Sequence, residues 1–203
     1  MVVAGSLDLR RTALLVAVLN LLWFFVQTAA AIVLGSVSLF ADAVDYLEDT
    51  AINLLIVLAL GFSLRRRARA GRVMAFILLL PAIAACVQAV RKFQHPEAPD
   101  PVFVALAALG ALLINGVCAW LLHRFRTGKG SLSKAAWLAA RNDVIVNILI
   151  LAMAGITALQ GTGVPDLILG IVILLLNLRA AWEVWEAAGE EHLAAKAAAG
   201  ELD

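Results

Sequence analysis

The chain has 203 residues, is 63% hydrophobic and has a mean hydropathy of +0.94, which excludes a soluble globular domain, where about half the residues are apolar. A formal net charge of +1 excludes the strongly basic balance of nucleic-acid binders. The two cysteines, Cys86 and Cys118, lie inside apolar runs and read as small buried hydrophobes rather than as a disulfide framework.

Apolar runs of the length needed to cross a bilayer predict an all-α membrane protein with six transmembrane helices. The first helix is predicted from about Thr12 to Leu34; it is a span rather than a cleavable signal, because no small-residue cleavage site follows a short apolar core. The second is predicted from Ser38 to Phe62, the third from Val73 to Val90 and the fourth from Val102 to Leu122. The fifth follows from Ala135 to Leu159 and the sixth from Asp166 to about Trp185. Asp166, just after Pro165, suits a helix start, where an acid meets the positive end of the helix dipole. Residues 1–187 are read as one transmembrane domain and residues 188–203 as a short tail that continues the sixth helix, too short to fold alone.

Basic residues set the orientation. Arg10 and Arg11 precede the first span, Arg65, Arg66, Arg67, Arg69 and Arg72 follow the second, and Arg124, Arg126, Lys129 and Lys134 follow the fourth. Only Arg91 and Lys92 flank a loop of the other parity. Both termini are therefore predicted to be cytoplasmic, and the arginine run after the second span also suits contact with anionic lipid.

The second span holds the feature that needs explaining. In "SLFADAVDYLEDT", residues 38–50, it carries Asp42, Asp45, Glu48 and Asp49. Asp42, Asp45, Asp49 and Asn53 form one stripe about 80° wide, because each residue turns about 100° around the axis, and Glu48 sits on its shoulder. The fifth span has Asp143 with Asn147 one turn further along. Since the two spans run in opposite directions, Asp49 and Asp143 come to similar depth. An ionised acid at the bilayer centre costs at least a few kcal/mol, and several together repel. A bound cation relieves that, and so do protons when the cation leaves. Pairing with arginine does not suffice: Arg141 points about 160° away from Asp143 on its own helix, although it can meet Glu48. Paired carboxylates one turn apart, with a third from another helix, suit a divalent cation. All three histidines lie elsewhere, at His95, His123 and His192, so the ligands are oxygens, a set that suits harder ions than a histidine-rich site does, although zinc also accepts carboxylates. A second site from His95, Glu97 and Asp100 is a weaker alternative.

The stretch "GSVSLFADAVDYLED", with "RNDVIVN" in the fifth span and "VPDLILGIVI" opening the sixth, resembles the cation diffusion facilitator family. The order and spacing of six helices match over nearly the whole chain. The resemblance implies export of a divalent cation as substrate, zinc first and otherwise manganese, iron, cobalt or cadmium, usually in exchange for protons. It implies two ligands, four residues apart, from each of the second and fifth helices. The second-helix pair falls on Asp45 and Asp49, and the fifth-helix pair on residue 139 and Asp143. Residue 139 is Ala139, where the family usually has His or Asp. Water, Asn142 or Asp42 is then left to complete the shell, Asn142 only with a local distortion because it points about 100° from Asp143. Asp42 is alternatively a proton site. Asn53, Asn147, Glu48 and Arg141 are the expected supporting groups. Many members also carry a C-terminal cytoplasmic domain that stabilises a dimer; this chain stops too soon for one, which leaves a homodimer through the spans.

The expected function is therefore divalent cation efflux by alternating access across a bacterial inner membrane, with lipid, the cation and protons as partners. The alternative is a non-transporting sensor or regulatory subunit of the same family, which the alanine at 139 would suit. An enzyme is not expected: the acidic motif of membrane phosphatidyl-alcohol transferases requires a glycine where Tyr46 stands and an Ala-Arg pair where Asp49-Thr50 stands.

Overall fold

The computed structural model describes residues 2–59, 73, 83–95, 97–125 and 131–198, and every regular element among them is a helix. These are α1 (Val2–Leu34), α2 (Val37–Ala59), α3 (residues 83–94), α4 (Pro101–His123), α5 (Ser131–Gln160) and α6 (Val164–Ala198). The expected spans fall on these helices. Differences lie at the ends, where a polar extension keeps the helical hydrogen-bond ladder going beyond the apolar run. Thus α1 and α5 start earlier than hydropathy indicates, and α6 carries the tail on to Ala198. Most of the expected third span and the arginine run from Arg65 to Arg72 lie outside the described residues.

Among the described residues, three stretches are long and apolar enough to cross a bilayer: Asp8–Leu34, Pro101–His123 and Ala136–Gln160. Helix α2 is excluded from that set by its four carboxylates. The outward faces are what lipid would cover: Phe25, Leu113, Trp120 and Ile168 are all exposed.

Helix α2 packs against α1, α5 and α6, and α4 bridges α1 and α5. Two apolar clusters hold the bundle. One, around Leu39, Phe40, Val44, Val104, Ile150 and Ile173, lies toward the end that carries the α1–α2 and α5–α6 turns. The other, around Val16, Ile56, Cys118, Leu122, Ala136 and Ala140, lies toward the opposite end. Between them runs a belt of buried polar groups on α1, α2, α4, α5 and α6: Asn20, Gln27, Asp42, Asp49, Asn115, Asn147 and Asn177. The α1–α2 turn is made by Gly35 at φ +61°, a left-handed conformation that a side chain would strain. Where α6 crosses the start of α2, Gly170 leaves no room for a side chain. A Cβ there would fall 2.6 Å from Val37 Cγ1 and 2.7 Å from the Val37 carbonyl carbon. Gly170→Ala is therefore expected to destabilise the protein by about 1–3 kcal/mol, read as a lowered unfolding temperature in detergent.

Candidate metal centre

The belt is built from helix α2 outward. Its stripe faces α1 on one side and α5 on the other, so each carboxylate meets a different neighbour. Asp42 is fully buried and accepts two short hydrogen bonds, from Gln27 Nε2 and from Asn147 Nδ2, both 2.7 Å. Asn115 Nδ2 in turn donates to Asn147 Oδ1 at 3.1 Å. Four helices thus meet at one carboxylate, with every amide dipole in the chain directed toward it.

One to two turns along α2, Asp49 accepts from Asn20 Nδ2 at 3.2 Å, and Cys118 Sγ donates to Asn20 Oδ1 at 3.4 Å. Asp49 of α2 and Asp143 of α5 face the same space. Carboxylates that share one buried cavity repel each other as bare anions, and a proton or a cation alongside relieves that repulsion. A cavity of about 240 Å³ opens beside the pair. Asp45, Glu48, Asp49, Asn142 and Asp143 border it, with Ala139 in its wall and Asn177 of α6 at its edge.

The structure brings Asp45, Asp49 and Asp143 to one cavity, at matching depth on antiparallel helices. Among the described residues, no three His, Cys, Asp or Glu side chains are gathered tightly enough to hold an ion as they stand. The carboxylates edge a cavity rather than form a finished coordination shell. Asn142 also borders that cavity, exposed at its rim, with its Oδ1 accepting from Arg141 Nη2 at 3.2 Å. Asp42 does not line it; both its oxygens are already taken by amides.

Two supporting contacts differ from expectation. Glu48 and Arg141 do not pair. Arg141 is exposed, donates to Asn142 Oδ1 at 3.2 Å and lies over the Trp137 ring, because its position on α5 turns it away from α2. Glu48 Oε1 is left buried without a hydrogen-bond partner. Asn53 does not bond across helices: its Nδ2 donates to the Asp49 carbonyl of its own helix at 2.9 Å, the local back-bond open to a side chain one turn ahead. Asn147 does bridge helices, as its place on α5 suggested.

Reasoning on the acids alone passed over the amides that position them. Asn20 and Gln27 are seven residues apart on α1, hence on one face. Asn115 and Asn177 are isolated polar residues in apolar runs. A lone amide inside a span is the signal for each. Asp166 stands in the first turn of α6, as its place after Pro165 suggests, and does more there than meet its own helix dipole. It is fully buried, and its carboxylate accepts from Val37 N at 2.9 Å and Ser38 N at 3.2 Å. It therefore caps α2 from another helix, satisfying amides that the first turn of α2 leaves free.

The sequence matches the model of the cation efflux transmembrane domain over residues 13–189. It is 30% identical over 174 residues to the zinc transporter ZitB of Escherichia coli (strain K12), covering 80% of this chain and 56% of that protein. Against ZitB of Yersinia pestis the identity is 30% over 162 residues, covering 74% and 52% of the two chains. Against ZitB of Pectobacterium atrosepticum it is 31% over 160 residues, covering 73% and 50%. The chain thus spans about half the length of the curated relatives it matches. With a match of this extent to the transmembrane domain, the chain is an integral membrane protein that belongs to the cation diffusion facilitator, or cation efflux, family.

Proposed function

We propose that the protein exports a divalent cation, zinc first, from the cytoplasm of a bacterium across the inner membrane, exchanging it for protons by alternating access. The observation that carries this reading is the mid-bundle cavity bordered by Asp45, Glu48, Asp49 and Asp143, carboxylates from both α2 and α5. Three carboxylates there serve as ligands: Asp45 and Asp49 from α2 and Asp143 from α5. Their charge repulsion is relieved by the cation when it is bound and by protons after it leaves, which links the two fluxes through one site. Asp45 swings in as the cation arrives, and Asn142 or water supplies the fourth oxygen that tetrahedral zinc requires. The similarity to zinc transporters supports zinc as the cargo.

In this reading both termini are cytoplasmic, residues 1–187 form the transport domain, and residues 188–203 are a cytoplasmic tail. In this reading the cation enters the cavity from the cytoplasmic side, and the end bearing the α1–α2 and α5–α6 turns faces outward. A second copy of the chain, packed through the spans, is the proposed partner.

The reading is tested by expression in a zinc-sensitive bacterial host. The protein should raise the zinc concentration that permits growth, and a strain no more resistant than the vector control would count against export. The same assay addresses the alternative of a non-transporting relative, which binds zinc without conferring resistance. Ala139→His should add a fourth protein ligand from the cavity wall and tighten zinc binding by about tenfold or more, measured with a competing chelator.

A further inference from the structure

A second buried cluster lies apart from the cavity, at the end of the bundle that carries the α1–α2 and α5–α6 turns. Its centre is Asp166, in the first turn of α6. Besides the two backbone donors of α2, the carboxylate accepts from Ser36 Oγ and Ser38 Oγ, both at 2.6 Å. Lys92, near the end of α3, places Nζ 3.5 Å from Asp166 Oδ2 and donates to the Gly35 carbonyl at 2.8 Å. Lys92 is only 8% exposed, so this ion pair is shielded from the screening that makes surface pairs weak. One carboxylate and one ammonium therefore tie together the α1–α2 turn, α3 and α6. Val37, Ala89 and Leu167 pack beneath as a small apolar cluster.

The two ends of the polar belt are unlike each other. At the cavity, Glu48 Oε1 is buried with no hydrogen-bond partner among the described residues. At the turn end, every Asp166 oxygen is satisfied. No residue in the first two turns of α2 lines the cavity; the nearest is Asp45, about 12 Å along the helix from Val37 at 1.5 Å per residue. Leu39, Phe40, Ala41 and Val44 fill that interval and are all buried. Asp166 with Lys92, the close approach of Gly170 to Val37 and the bond from Asn177 Nδ2 to the Ala41 carbonyl at 2.9 Å hold α6 against the start of α2 there.

We propose that Lys92 and Asp166, with Ser36 and Ser38, form the gate that seals this end of the bundle while the cavity is open at the other. The inference rests on the alternating-access reading given above. Breaking the ion pair shifts the protein toward the state open at the turn end, because a contact made in only one state biases the equilibrium between the two.

The test uses thiol labelling and needs neither metal nor flux. Cys86→Ala and Cys118→Ser remove the native thiols. A single cysteine is then placed at Ala41, behind the gate, or at Asn142, on the cavity rim, in protein held in lipid nanodiscs where both ends meet solvent. Lys92→Met and Asp166→Asn should each raise the maleimide labelling rate of the Ala41 cysteine by about tenfold. They should leave the Asn142 cysteine unchanged or slower, and Lys92→Arg should restore slow labelling at 41. Unchanged labelling at 41 in both variants overturns the gate, as does an equal rise at both positions, which means general loosening. If the labelling follows expectation but no cation crosses the membrane, the gate stands and the transport reading falls. If cations cross while labelling at 41 never changes, the gate alone falls.

Discussion

Asp49→Asn and Asp143→Asn are each expected to weaken zinc binding by about a hundredfold or more. Loss of a group that merely supports a metal ligand typically costs 10–100-fold in affinity, and these substitutions remove a charged ligand itself. The amide has nearly the shape of the acid it replaces, so the packing of α2 against α1 and α5 is retained. The Asn20 contact to Asp49 Oδ2 also survives if the new amide turns its oxygen that way. The effect should therefore appear in binding isotherms without a matching loss of thermal stability. Asp42→Asn makes the contrast. Asp42 lies off the cavity with both oxygens held by Gln27 and Asn147. Its replacement should cost stability, since one amide donor then faces another, and should change zinc affinity by less than about threefold. Equal losses of zinc affinity in all three variants would show that the binding site extends through the whole belt.

Asp166→Ala is expected to be the most destabilising single change, by about 3–5 kcal/mol. It removes the acceptor for two serine hydroxyls and two backbone amides and leaves the Lys92 ammonium buried with one carbonyl contact. The measurement is the unfolding midpoint in detergent. Adding Lys92→Met to Asp166→Ala should recover a substantial part of the loss, because an apolar side chain replaces the stranded charge. If the two losses simply add, the ion pair is not the source of the effect.

The helices were legible in the sequence because a bilayer demands continuous apolar runs, and those runs are unmistakable from Thr12 to Leu34 or from Val102 to Leu122. The convergence of Asp49 and Asp143 was also legible: helical periodicity puts the α2 acids on one face, and antiparallel spans bring the α5 acid to the same depth. What was not legible depends on which helix lies beside which. Nothing in the spacing along α1 says that Gln27 would meet Asp42, or that Asn20 would meet Asp49, until α1 is packed against α2. Asp166 is the sharper case. Its place at a helix start suggests a local cap, yet close approach at Gly170 brings the start of α2 to it, and it caps that helix instead. Arg141 does not meet Glu48, because on α5 it is exposed, over the Trp137 ring and donating to Asn142 of its own helix.

The central claim is that the carboxylates at the cavity carry a divalent cation across the membrane. The most direct measurement is zinc uptake into proteoliposomes with an acidic lumen, so that protons leaving can drive zinc in, with the parent and Asp143→Asn compared side by side. The account predicts uptake by the parent that collapses when the pH gradient is removed, and uptake by the variant no faster than in protein-free liposomes. Parent uptake indifferent to the gradient would contradict the proton exchange, and a variant that transports as fast as the parent would contradict the site.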